Sequence, residues 1–134
     1  GMLGYQVVAH TDRLRSLVVL GGPTDLKHEV QWRPAMERVY KARMPGYDTD
    51  PDAAMRHRSA VYWPEKLHKK TPILILHGAK DKRVSLHSAE LMADKLSETK
   101  HPHELRVQPN GSHTLIEMHA ELNVMVLDWI QQYL

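Results

Sequence analysis

The segment Thr71-Pro72-Ile73-Leu74-Ile75-Leu76-His77-Gly78-Ala79-Lys80-Asp81-Lys82-Arg83-Val84 opens with four consecutive apolar residues and closes in a polar loop. Side chains of a strand alternate between its two faces, so an unbroken run such as Ile73–Leu76 is apolar on both. That pattern belongs to a strand covered on both sides, as in a parallel sheet. Pro72 marks where it begins and His77-Gly78 where it stops. Working outward, Leu17-Val18-Val19-Leu20 has the same character and stops at Gly21-Gly22-Pro23. Leu105 and Val107 alternate with polar neighbours before Pro109-Asn110-Gly111, which predicts a third strand, 104–108, nearer an edge of the sheet.

Helical periodicity fills the intervals. Ser85 is placed to cap a helix whose apolar face is Leu86, Ala89, Ala93 and Leu96. Met118, Leu122, Met125, Val126, Trp129, Ile130 and Tyr133 form the wide stripe of a last, core-facing helix, and residues 2–10 make a short first helix without an N-cap residue. Residues 24–70 carry no strand pattern. They hold prolines and short helical patterns, Pro34 to Ala42 and Pro51 to His57, the second with Asp50 as cap. We read 24–70 as a helical insert between two strands of one sheet, with Trp32 and Trp63 packing in its core. The order helix, strand, insert, strand, helix, strand, helix predicts an α/β fold of about three parallel strands, residues 1–134 forming a single domain.

Composition narrows the function. The chain has 134 residues, 42% hydrophobic and 25% charged, with a net charge of +2, ordinary for a globular domain and too small to imply nucleic acid. With no cysteine, disulfides, thiolate metal sites and a cysteine nucleophile are excluded. No apolar run approaches the roughly 18 residues of a membrane span, so no membrane partner is expected. The lack of cysteine and of a visible signal peptide fits a cytoplasmic location and leaves the compartment open. Of the ten histidines, His101-Pro102-His103 is the nearest approach to a ligand pair and reads as a solvated cluster; no HExxH or GxGxxG motif occurs, and no metal or organic cofactor is expected.

Functional groups of an open parallel sheet gather on loops beyond the carboxyl ends of its strands. Two such loops carry Asp81 and His113, and a single crossover helix between their strands makes those strands neighbours about 4.8 Å apart. A carboxylate beside an imidazole fixes its tautomer and stabilises the imidazolium, as in a serine triad. The plainer alternative is a surface aspartate and a loop histidine that merely follow strands.

Beyond spacing, Thr71–Val84 resembles the acid-bearing segment of the prolyl oligopeptidase family of α/β-hydrolases, and Gly111-Ser112-His113 resembles its histidine-bearing segment. Pro45-Gly46-Tyr47 and Arg58-Ser59-Ala60-Val61 are similar to the region between these strands and the preceding one, and Met2-Leu3-Gly4-Tyr5 to the helix after the nucleophile elbow. The resemblance covers essentially the whole chain. It implies a partial α/β-hydrolase, the C-terminal part of a catalytic domain acting on a peptide or ester, with His113 as base and then acid and Asp81 orienting it.

The elbow itself, Gly-x-Ser-x-Gly, is absent. Ser16, Ser59, Ser85, Ser88, Ser97 and Ser112 all lack its sharp turn. The resemblance puts the nucleophile just upstream of Gly1, so the isolated chain is expected to be inactive. Strand 17–20 would then present a bare apolar edge, and a homodimer pairing two such edges into a six-stranded sheet is expected. The competing reading is a noncatalytic truncated relic or dimeric interaction module. A flavodoxin-like binder is disfavoured, because no glycine loop opens a helix to cradle phosphate.

Overall fold

The structure, a computed structural model, describes all 134 residues. Three strands, β1 (Leu17–Leu20), β2 (Ile73–Gly78) and β3 (His103–Gln108), form one parallel sheet in the order β1-β2-β3. Leu17 and His103 both align with Ile73, and Leu20 and Arg106 both align with Leu76, so the three carboxyl ends lie along one edge. Six helices flank it: α1 (Met2–His10), α2 (Leu26–Trp32), α3 (Met36–Arg43), α4 (Pro51–Arg58), α5 (Leu86–Glu98) and α6 (His119–Gln132). None is long and apolar enough to cross a membrane.

All six residues of β2 are buried, as its unbroken apolar run predicts. Ile73 and Ile75 face a cluster with Tyr5 and Val8 of α1, Met92 and Leu96 of α5, and Val61 and Trp63 of the insert. Leu74 and Leu76 face the other way, against Leu115 and Trp129. Burial of a side chain of this size stabilises the fold by about 1.5–3 kcal/mol, so the central strand is its main hydrophobic anchor. The insert has a smaller core of its own, Leu26, Met44, Tyr47, Ala54 and Met55.

Caps follow the sequence closely. Ser85 Oγ accepts from His87 N and starts α5; Asp50 Oδ1 accepts from Ala53 N and starts α4. The helix expected from Pro34 begins later, at Met36, behind a turn in which Glu37 N donates to Pro34 O. Three expectations need correction. β1 is only partly covered, with Val19 buried and Leu20 38% exposed, because one of its edges is unpaired. Trp32 ends α2 facing outward and is 54% exposed, whereas Trp63 is buried and donates its indole N–H to Arg56 O. His101 is not solvated: it is 3% exposed, and its Nε2 donates to Thr71 O across 2.9 Å, tying the start of β3 to that of β2. His103 Nδ1 instead meets His101 O, so the two rings do not converge on a common point.

Candidate active site

The Asp81 loop leaves β2 through Gly78, and the His113 loop leaves β3 through Pro109. Backbone hydrogen bonds join them: Ala79 N donates to Gln108 O at 2.9 Å and Lys80 N to Gly111 O at 3.0 Å. A Cβ on Gly78 would collide with the carbonyl oxygens of Gly111 and Ser112, so only glycine permits this approach. Leu115 holds the far end of the second loop. It is fully buried against Leu74, Leu76 and Trp129, although its φ of 52° lies in the left-handed region that costs a leucine about 1–2 kcal/mol. Packing overrides that local strain and pins the turn after His113.

These restraints bring His113 Nδ1 to 2.8 Å from Asp81 Oδ2. The Asp81 side chain is inaccessible to solvent, and that of His113 is 29% exposed. Asp81 Oδ1 accepts from Arg83 N at 2.7 Å and Val84 N at 3.0 Å, a local turn in which one aspartate organises its own loop. Burial pushes the Asp81 carboxyl up, but the Val84 N–H, the His113 ring and the Arg83 N–H together hold it below the ordinary carboxylate value. A charged carboxylate thus faces Nδ1, which sets that nitrogen as the N–H of neutral imidazole and leaves Nε2 as the basic atom. No group of the chain hydrogen-bonds Nε2.

Two further residues, Gly21 and His77, border the pair. Gly21, at φ 52°, closes the end of β1 beneath His113, where a Cβ would stand 3.1 Å from Nδ1. His77, buried at the end of β2, donates from Nε2 to Val84 O at 3.1 Å, with Asp81 Oδ2 at 3.4 Å. The four-residue interval from His77 to Asp81 was the available signal, but only the turn geometry folds the aspartate back over the ring. A cleft of about 220 Å³ opens beside His113, its wall including Glu29, Arg33, Met36, Tyr40 and Val84. The insert supplies half of that wall and is anchored by Glu29, which accepts from Ser88 Oγ at 2.7 Å and from Ser85 N at the start of α5.

None of the six serines bonds to His113. Ser59 Oγ donates to Met55 O and accepts from Leu26 N; Ser85 and Ser88 hold the start of α5. Ser97 Oγ contacts His103 Nε2 near the amino end of β3.

The fold is a parallel sheet with helices on both faces, with an aspartate after one strand and a histidine after the next. The chain matches the prolyl oligopeptidase family over residues 1–134 and belongs to that family. Solved structures agree on the fold. An acylaminoacyl peptidase of Pyrococcus horikoshii superposes with a TM-score of 0.83 over 98% of this chain and 22% of its own, at 13% identity. A puromycin-hydrolyzing peptidase of Mycobacterium tuberculosis gives 0.66 over 82% of this chain and 17% of its own, at 22% identity. An esterase of Pyrococcus furiosus gives 0.70 over 98% and 49%, at 12% identity. The chain thus spans about a fifth of the length of these peptidases and half that of the esterase. No curated protein matches it in sequence.

Proposed function

We propose that residues 1–134 are the C-terminal part of a serine peptidase or esterase catalytic domain, contributing Asp81 and His113 to a Ser-Asp-His triad. The observation that carries this is the 2.8 Å contact between His113 Nδ1 and a buried, ionised Asp81, with Nε2 left free. In the reaction His113 Nε2 takes the hydroxyl proton as a serine oxygen attacks the acyl carbon, then returns it to the departing amine or alcohol. Asp81 holds the ring through Nδ1–H and offsets the imidazolium charge. The serine comes from sequence preceding α1. In support, Gly1 packs on Gly22, next to the Gly21 that underlies His113, so residues leading into α1 emerge at the same sheet edge.

A fluorophosphonate probe tests the assignment. The 134-residue chain alone is expected to remain unlabelled, and the protein extended through its upstream coding sequence to be labelled, with the label lost in His113→Ala. Stoichiometric labelling of the short chain overturns its inactivity; no labelling of the extended protein overturns the hydrolase reading.

A second reading rests on the unpaired edge of β1. An apolar groove of about 320 Å³ runs beside it between Val18, Leu20 and the α6 residues Leu122, Val126 and Leu127. On the other side Leu3 and Val7 of α1 are 71% and 48% exposed. Two copies pairing these edges across a two-fold axis would cover both surfaces in a noncatalytic homodimer. Light scattering near twice 15.4 kDa supports it, and a monomer mass independent of concentration counts against it.

A further inference from the structure

The wall of the cleft beside His113 includes two arginines, Arg33 and Arg83, neither of them in an ion pair. Arg33, at the end of α2, is half-buried, and its Nη1 donates to the backbone carbonyl of Arg83 across 3.3 Å. No carboxylate oxygen lies within ion-pair distance of its guanidinium, whereas five ion pairs join groups elsewhere in the fold. Glu37 and Glu29 are the nearest carboxylates in sequence, four residues to either side. Glu37 accepts a hydrogen bond from the Tyr47 phenol, and Glu29 lies one turn earlier on α2. The Glu29 oxygens are occupied by Ser85 N and Ser88 Oγ at the amino end of α5, where the helix dipole also favours negative charge. Glu29 is thereby committed to joining insert and helix, and Arg33 lines the cleft together with Met36 and Val84. Tyr40, in the same wall, is pushed up to about 12 by burial and by Glu29, with Arg33 opposing, so its phenol remains a neutral donor. A guanidinium held by a carbonyl, beside a phenol and apolar surface, matches a carboxylate in geometry and charge.

We propose that Arg33 is a specificity-determining residue that binds a substrate carboxylate next to the bond presented to His113, so the preferred substrate carries an acidic group near its scissile bond. This deepens the hydrolase reading and rests on it for the identity of the scissile bond. The binding half is separable. Two sources of the carboxylate, an acidic side chain and a free peptide C-terminus, share the chemistry and are distinguished by the probes.

The test is NMR titration of the 134-residue chain with N-acetyl-glutamate amide, N-acetyl-glutamine amide and N-acetylglycine, following Arg33 Nε–H and His113 Cε1–H. A carboxylate-bearing probe is expected to shift both signals and the glutamine amide neither. The better of the two acids identifies side chain or C-terminus. Arg33→Met is expected to weaken binding about tenfold or more, and Arg33→Lys by less, since it keeps the charge without the fork. Dispersed amide spectra verify that each variant is folded. Equal binding of glutamine and glutamate amides, shifts confined to other surfaces, or full affinity in a folded Arg33→Met protein would overturn the proposal. Failure of the fluorophosphonate experiment would instead remove the hydrolase reading and leave the binding result standing.

Discussion

Gly78 and Gly111 are in direct backbone contact: a Cβ on Gly111 would stand 3.1 Å from Gly78 Cα, and one on Gly78 would strike the Gly111 carbonyl. This contact sets the separation of the two loops that carry Asp81 and His113.

Gly78→Ala is therefore expected to push the loops apart. The methyl meets backbone, which cannot rotate away, so the cost is at least the roughly 1–3 kcal/mol of ordinary overpacking. Urea denaturation reads the loss of stability. The low-field proton signal of His113 Nδ1–H is expected to vanish with it, and a variant of normal stability that keeps the signal would refute the steric argument.

Leu115→Ala removes the plug that holds the His113 turn. A fully buried leucine replaced by alanine costs about 2–5 kcal/mol, and the residual left-handed strain stays because alanine also carries a Cβ. Hydrogen exchange is expected to accelerate at residues 111–118 more than in β2. Uniform acceleration would mean that Leu115 contributes only to global stability.

Asp81→Asn replaces a buried carboxylate that has three donors within hydrogen-bonding distance. The amide oxygen can satisfy only part of that set, and loss of charge-assisted bonds costs about 1.5–3 kcal/mol. Because its folded pKa is depressed, the Asp81 contribution is fully present above the unfolded value of 3.8 and disappears as pH falls through the lower folded value. The difference in stability between wild type and Asp81→Asn is expected to shrink across that acid window. A difference that does not change there would contradict the linkage.

His101 supplies the opposite pH probe. Burial holds its pKa below 6.5, the Thr71 carbonyl partly countering and His103 and Lys69 reinforcing the shift. The unfolded state therefore binds the proton more readily, and stability should fall as pH drops from 6.5 toward the folded value, then level off. His101→Gln is expected to flatten this segment of the stability profile. An unchanged profile would assign the pH dependence to other groups.

The apolar run Ile73–Leu76 and the alternation around Leu105 and Val107 made the strands legible, because side-chain periodicity is a local property of the chain. Asp50 and Ser85 announced their helices for the same reason. The loops bearing Asp81 and His113 followed from strand order, since parallel strands joined by one helix place their carboxyl ends together. What periodicity could not show was which faces would be covered. Trp32 and Leu20 are apolar yet exposed, and His101 is polar yet buried, because coverage depends on elements distant in sequence.

The sequence by itself determined the α/β class, the three parallel strands and the two loops that bear chemistry, all expressed through local periodicity, caps and turn residues. The 2.8 Å Asp81–His113 contact, the glycine approach that sets it, the leucine held in left-handed geometry and the unpaired Arg33 in the cleft belong to the tertiary structure. Each depends on packing between segments far apart in the chain, where a shift of an ångström makes or breaks a hydrogen bond, and no periodic pattern encodes distances of that kind.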